Sequence, residues 1–80
     1  MEFRFELEDF GTTLVIEFDE AYDVSEVKEV IEDAYYEYMH AEEMDMDEEM
    51  FAELDSGSVG KWISYRLDDA CFYTTNYYEE

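Results

Sequence analysis

Positive charge is what this chain has least of. Arg4, Lys28, Lys61 and Arg66 are its only Lys and Arg residues, set against 25 Asp and Glu, for a formal net charge of −21 over 80 residues. Four fixed cations exclude nucleic-acid binding through phosphates and exclude attraction to an anionic membrane surface. Cysteine is nearly missing as well. A lone Cys71 makes no internal disulfide, and with a single His40 it is too little for a structural zinc site. No apolar run approaches the roughly 20 residues of a membrane-spanning helix. The start, Met1, Glu2, Phe3, Arg4, carries no basic stretch ahead of an apolar one, so no signal peptide is expected. These absences predict one small, soluble domain with a cytoplasmic location, held by its core without covalent or metal staples.

What is present argues against disorder. Acidic disordered segments are poor in aromatic and β-branched residues, because they lack the apolar surface to offset chain entropy. Here the aromatic fraction is 19% and the hydrophobic fraction 48%, with no proline and three glycines. The composition describes a folded domain with an extreme surface. Self-repulsion works against any such compact state.

Residues 2–8 alternate, with Phe3, Phe5 and Leu7 on one face and Glu2, Arg4, Glu6 and Glu8 on the other. That period of two is a half-buried strand. A turn follows at 8–11, with Gly11 available for a positive φ. Residues 12–19 resume the alternation with Leu14, Ile16 and Phe18 inward, so the two runs predict an antiparallel hairpin. A helix begins near Asp23, with Asp23 and Glu26 spaced as a capping box and Ser25 as a competing cap. Val24, Val27, Ile31, Ala34, Tyr35 and Tyr38 form its apolar stripe. Glu29, Glu32, Asp33, Tyr36 and His40 lie opposite, flanked by Glu26 and Glu37.

The densest acidic patch comes next: Glu42, Glu43, Asp45, Asp47, Glu48, Glu49, Glu53 and Asp55, interleaved with Met44, Met46 and Met50. A second, short helix is expected at about 45–54, burying Met46, Met50, Phe51 and Leu54, with a loop at 55–58. Residues 59–67 alternate again, and 70–77 are rich in aromatics and Thr. With Asp68 and Asp69 as the turn, they predict a second hairpin. The expected fold class is therefore α+β: a four-stranded antiparallel sheet in the order ββα(α)ββ, with helices on one face.

Site chemistry is sparse. A calcium loop starting at Asp45 would place Asp47 and Glu49 correctly, but puts Met50 where Gly should turn the chain and Ser56 where a bidentate Glu should close it. His40, beside Asp33 and Glu37, would be held as imidazolium, which does not suit a general base. Cys71 next to Phe72 reads as a small packed residue. Among 25 carboxylates some pair meets any spacing rule, so glycosidase-like pairs carry no information. The expectation is a protein that is not an enzyme and takes no cofactor and no metal.

The remaining feature is charge density. A compact chain of this length is about 30 Å across, and that length of duplex DNA carries roughly 18 negative charges. Short length, net charge, abundant Tyr and Phe, and the run Glu42-Glu43-Met44-Asp45-Met46-Asp47-Glu48-Glu49 together give a chain that resembles the acidic DNA-mimic inhibitors of bacteriophages and mobile elements, the anti-CRISPR and antirestriction proteins. The resemblance is one of overall character, with no motif to transfer residue by residue. It implies an inhibitor in the bacterial cytoplasm that occupies the basic groove where a defence nuclease holds DNA. The small size favours a CRISPR effector over a restriction enzyme, whose longer duplex site suits an elongated mimic. The inhibitor itself would be a monomer or small homo-oligomer and would not touch nucleic acid.

The expected partner-binding residues are Glu29, Glu32, Asp33, Tyr36 and Glu37 on the helix, with Glu42, Glu43, Asp45, Asp47 and Glu48 after it. Tyr36 is the first choice of anchor, the stretch 44–47 the second, and Tyr77 with Tyr78 the third. Two other binding or surface roles compete. One is an acidic module for a basic protein unrelated to nucleases. The other is a halophile domain, against which stand 16 Glu to 9 Asp and the many large aromatics.

Overall fold

The first hairpin forms where the alternation places it. In the computed structural model, which describes residues 1–40 and 58–80, β1 (Glu2–Leu7) pairs antiparallel with β2 (Thr12–Phe18). The register sets Phe3 opposite Ile16 and Phe5 opposite Leu14, so the apolar faces of both strands coincide. Phe10 and Gly11 both donate their backbone N–H to the Leu7 carbonyl at 2.9 Å, and Gly11 adopts the expected positive φ of 69°.

Helix α1 (Val24–Met39) follows, and Asp23 rather than Ser25 is its cap. The Asp23 carboxylate accepts from the backbone N–H of Ser25 at 2.9 Å and of Glu26 at 3.3 Å, satisfying donors that the first turn leaves over. Val27, Ile31 and Ala34 are buried, Tyr35 and Tyr38 are half-buried against the core, and Val24 at the first position is exposed. The short helix expected at 45–54 lies outside the described residues.

The expected second hairpin is not there. Residues 59–67 belong to a helix, α2 (Val59–Asp69), and only β3 (Thr74–Glu79) is a strand. The sheet among the described residues is thus three-stranded, antiparallel and ordered β1-β2-β3, in place of the four-stranded sheet expected. The fold remains α+β. The physical reason is that Val59, Trp62, Ile63 and Leu67 fit a helical stripe as well as they fit a strand. Trp62 and Ile63 are both buried, at 1% and 0% exposure, in one and the same core, which adjacent strand residues, pointing to opposite faces, would not share. Ser58 supplies the cap, its hydroxyl accepting from the Lys61 N–H at 3.2 Å.

The end of α2 also explains why the strand starts late. The Cys71 N–H donates to the Asp68 carbonyl at 3.0 Å, and the Phe72 N–H to the Leu67 carbonyl at 2.8 Å. This pair of bonds is a Schellman motif, with Cys71 at φ 68° in the position that usually holds Gly. The Asp68 carboxylate then accepts the Thr74 N–H at 3.0 Å and launches β3. β3 pairs with β2, placing Tyr77 opposite Ile16, with a bulge between Glu17 and Phe18.

One core joins the layers. Leu7, Leu14, Ile16 and Phe18 from the sheet meet Val27, Ile31 and Ala34 of α1 and Val59, Trp62, Ile63 and Leu67 of α2. Both helices therefore cover the same face. Gly60 sits where α2 comes closest to the sheet: a Cβ there would lie 3.2 Å from the Leu14 Cδ1 and 3.3 Å from the Tyr77 ring. The radius of gyration is 12.1 Å and the principal extents are 32 × 27 × 20 Å.

Candidate partner-binding site

Glu29, Glu32, Asp33 and Tyr36 are exposed on the outer face of α1. Glu32 and Asp33 follow Glu29 at i+3 and i+4, which puts the Cβ of each about 5–6 Å from that of Glu29 by helix geometry. Tyr36 is 56% exposed and its ring lies 4.4 Å from that of His40. Lys28 approaches Glu32 at 3.8 Å with both side chains in water, a contact that neutralises little.

Glu37 is placed differently from its neighbours. Its side chain is 13% exposed and turns toward α2, where its Oε1 lies 3.2 Å from the Arg66 Nε. Neither atom is aligned for a hydrogen bond, so the attraction is that of an ion pair. Burial pushes the Glu37 carboxyl upward, Arg66 pulls it down, and Asp33 adds to the upward push. Glu37 ties the two helices together, while Glu29, Glu32 and Asp33 face outward. Glu42, Glu43, Asp45, Asp47 and Glu48 lie outside the described residues, as does the stretch 44–47.

The structure adds residues that sequence reasoning missed. The tip of the β1–β2 turn comes up beside α1 and encloses an open cavity of about 340 Å³, lined by Phe5, Glu6, Glu8, Asp9, Glu32 and Tyr35. Its wall is pinned by two hydrogen bonds. The Tyr35 hydroxyl donates to the Asp9 carboxylate at 2.6 Å and accepts the Asp9 N–H at 3.2 Å. Burial and the Asp9 charge both raise the Tyr35 pKa, so the phenol keeps its proton. Phe5 and Phe10 meet the Tyr35 ring edge-to-face at 5.7 and 6.5 Å, and Phe10 also meets Tyr38 at 6.4 Å. The signal for this site was Phe10 itself, a large aromatic at a turn tip where polar residues are usual.

Tyr77 and Tyr78 stand apart from the cavity on β3. Tyr77 leans over Gly60, while Tyr78 pairs with Val15 on the opposite face, beside Arg4. Arg4 is held there by Glu80 at 2.7 Å and Glu2 at 3.5 Å, and those contacts raise its pKa. Among the described residues, no group of three His, Cys, Asp or Glu side chains is arranged to hold a metal ion. Nor is any described helix long and apolar enough to cross a membrane.

The fold and the surface define a class: a small α+β domain displaying carboxylates and aromatic rings along one helix and one turn. Compared with known proteins, the chain matches no family model, no curated protein and no solved structure.

Proposed function

We propose that this protein is a DNA-mimic inhibitor that occupies the basic nucleic-acid groove of a bacterial defence nuclease, a CRISPR effector before a restriction enzyme. The observation that carries the reading is charge for size. A body 32 Å long bears a net −21, and about 19 phosphate charges lie along the same length of duplex. Outward carboxylates on α1 supply the regular negative spacing. Such a surface is drawn rapidly to a basic groove by long-range attraction, and salt weakens that attraction. The aromatic rings among the carboxylates supply contacts that charge alone lacks.

The test uses purified CRISPR effectors and restriction enzymes with a fluorescent duplex target. Saturating protein should release the duplex from its target enzyme, excess duplex should reverse the inhibition, and added salt should weaken binding steeply. If every enzyme that binds this protein keeps its duplex, mimicry is wrong. The acidic face would then serve a partner unrelated to DNA.

A further inference from the structure

We infer that the cavity between the β1–β2 turn and α1 is a receptor for one arginine side chain of the partner protein. The inference rests on the inhibitor reading for the partner's identity, and on the cavity's own chemistry for the ligand. Phe5 and Tyr35 offer apolar ring surface, and Glu6, Glu8, Asp9 and Glu32 surround them. Next to it, Phe10 is 47% exposed at the turn tip and packed on Tyr35 and Tyr38. Exposed aromatics beside a concave, charged pocket are the composition of an interface anchor point.

Charge complementarity selects the occupant. Asp9 is bonded to the Tyr35 hydroxyl, and among the described ion pairs the carboxylates around the cavity make one, Glu32 with Lys28 at 3.8 Å in solvent, so most of their negative charge is left uncompensated there. They are also not gathered tightly enough to chelate a metal ion. A guanidinium suits the site better than an ammonium. It is planar and weakly hydrated, stacks on aromatic rings, and donates in a fork to carboxylates on more than one side. The Tyr35–Asp9 bonds hold the wall in place before anything binds, which lowers the entropy lost on docking.

The probe is Nα-acetyl-arginine-methylamide, titrated into the full chain and followed by two-dimensional NMR. Saturable shifts should appear at Phe5, Glu6, Asp9, Phe10 and Tyr35. They should be lost with the uncharged citrulline analogue, and be weaker with the lysine analogue. The double variant Glu8→Gln, Glu32→Gln should abolish them while the rest of the spectrum is retained. In the nuclease assay the same variant, and separately Phe10→Ser, should raise the inhibitory concentration at least about tenfold. Shifts spread over all carboxylates, equal response to arginine and lysine, or no saturation would overturn the pocket. Failure here with intact duplex competition removes only this inference. Arginine binding with no competing nuclease leaves the pocket standing and removes the inhibitor reading.

Discussion

The two helices share a core and spend their residues differently. α2 buries six of its 11 residues, Val59, Gly60, Trp62, Ile63, Ser64 and Leu67. α1 is longer, with 16 residues, and fully buries only Val27, Ile31 and Ala34. Where carboxylates of α1 face α2, the result is a buried charge matched by Arg66. Where they face outward, Glu29, Glu32 and Asp33 stand among like charges in water. The contrast teaches how the fold tolerates its charge: a carboxylate in low dielectric needs a cation, while one in solvent is screened. α2 is the helix that holds the sheet, and α1 is the helix that displays charge.

Substitutions can break that division. Trp62→Ala in α2 should cost the most, about 3–5 kcal/mol by the usual effect of emptying a large core site. Urea denaturation would show a fall in midpoint, and a loss under about 1 kcal/mol would mean that α2 is not the anchoring helix. On α1, reversing Glu29, Glu32 and Asp33 to Lys together should leave the fold intact. Inhibition should nevertheless weaken at least about tenfold, near 1.4 kcal/mol. Three reversals at Glu20, Asp69 and Glu79, also exposed, are the control. Equal loss in both sets would show that net charge matters and the α1 face does not.

A smaller effect sharpens the account of α2. Cys71 holds a left-handed conformation at the helix end, which costs a side-chain-bearing residue about 1 kcal/mol. Cys71→Gly should return roughly that amount in denaturation experiments. A destabilised glycine variant would show instead that the Cys71 side chain contributes more than the strain costs.

The smallest expected effect is a pH slope at the seam between the helices. Burial, opposed by Arg66 and aided by Asp33, raises the Glu37 pKa above its ordinary 4.5. The folded state therefore holds that proton more tightly than the unfolded chain does. The stabilising contribution is present below the unfolded pKa and is lost as pH rises through the folded one. Asp23 has the opposite sign, because hydrogen bonds from Ser25 and Glu26 lower its pKa. Its contribution is present above the ordinary value near 3.8 and disappears as pH falls through the lowered one. Glu37→Gln should thus gain stability relative to the natural chain between about pH 4.5 and pH 7. A gap that stays constant across that range would place Glu37 in water like its neighbours.

Much of the N-terminal half is legible in the residues alone. Phe3, Phe5 and Leu7 alternate with charged residues, and Val27, Ile31 and Ala34 repeat at helical spacing, so each element announces its own period. The segment 59–67 misleads because Val, Trp, Ile and Tyr favour strands by type, and its alternation competes with a stripe at Val59, Trp62, Ile63 and Leu67. Ser58 as a cap was the clue that favoured the helix. For the candidate site, the outward positions of Glu29, Glu32, Asp33 and Tyr36 follow from helix periodicity. Glu37, one step round the helix, could not be assigned without knowing that Arg66 would come to meet it.

The chain by itself determines its charge, its first hairpin and its first helix, because these depend on composition and on neighbours within a few residues. Only the tertiary structure decides that β3 pairs with β2, that Glu37 is shared between helices, and that Glu32 and Tyr35 meet Glu6, Glu8 and Asp9 around one cavity. Those contacts join residues more than 20 positions apart. They exist because one apolar face of the sheet must be covered by both helices, and no local period encodes which side chains that packing brings together.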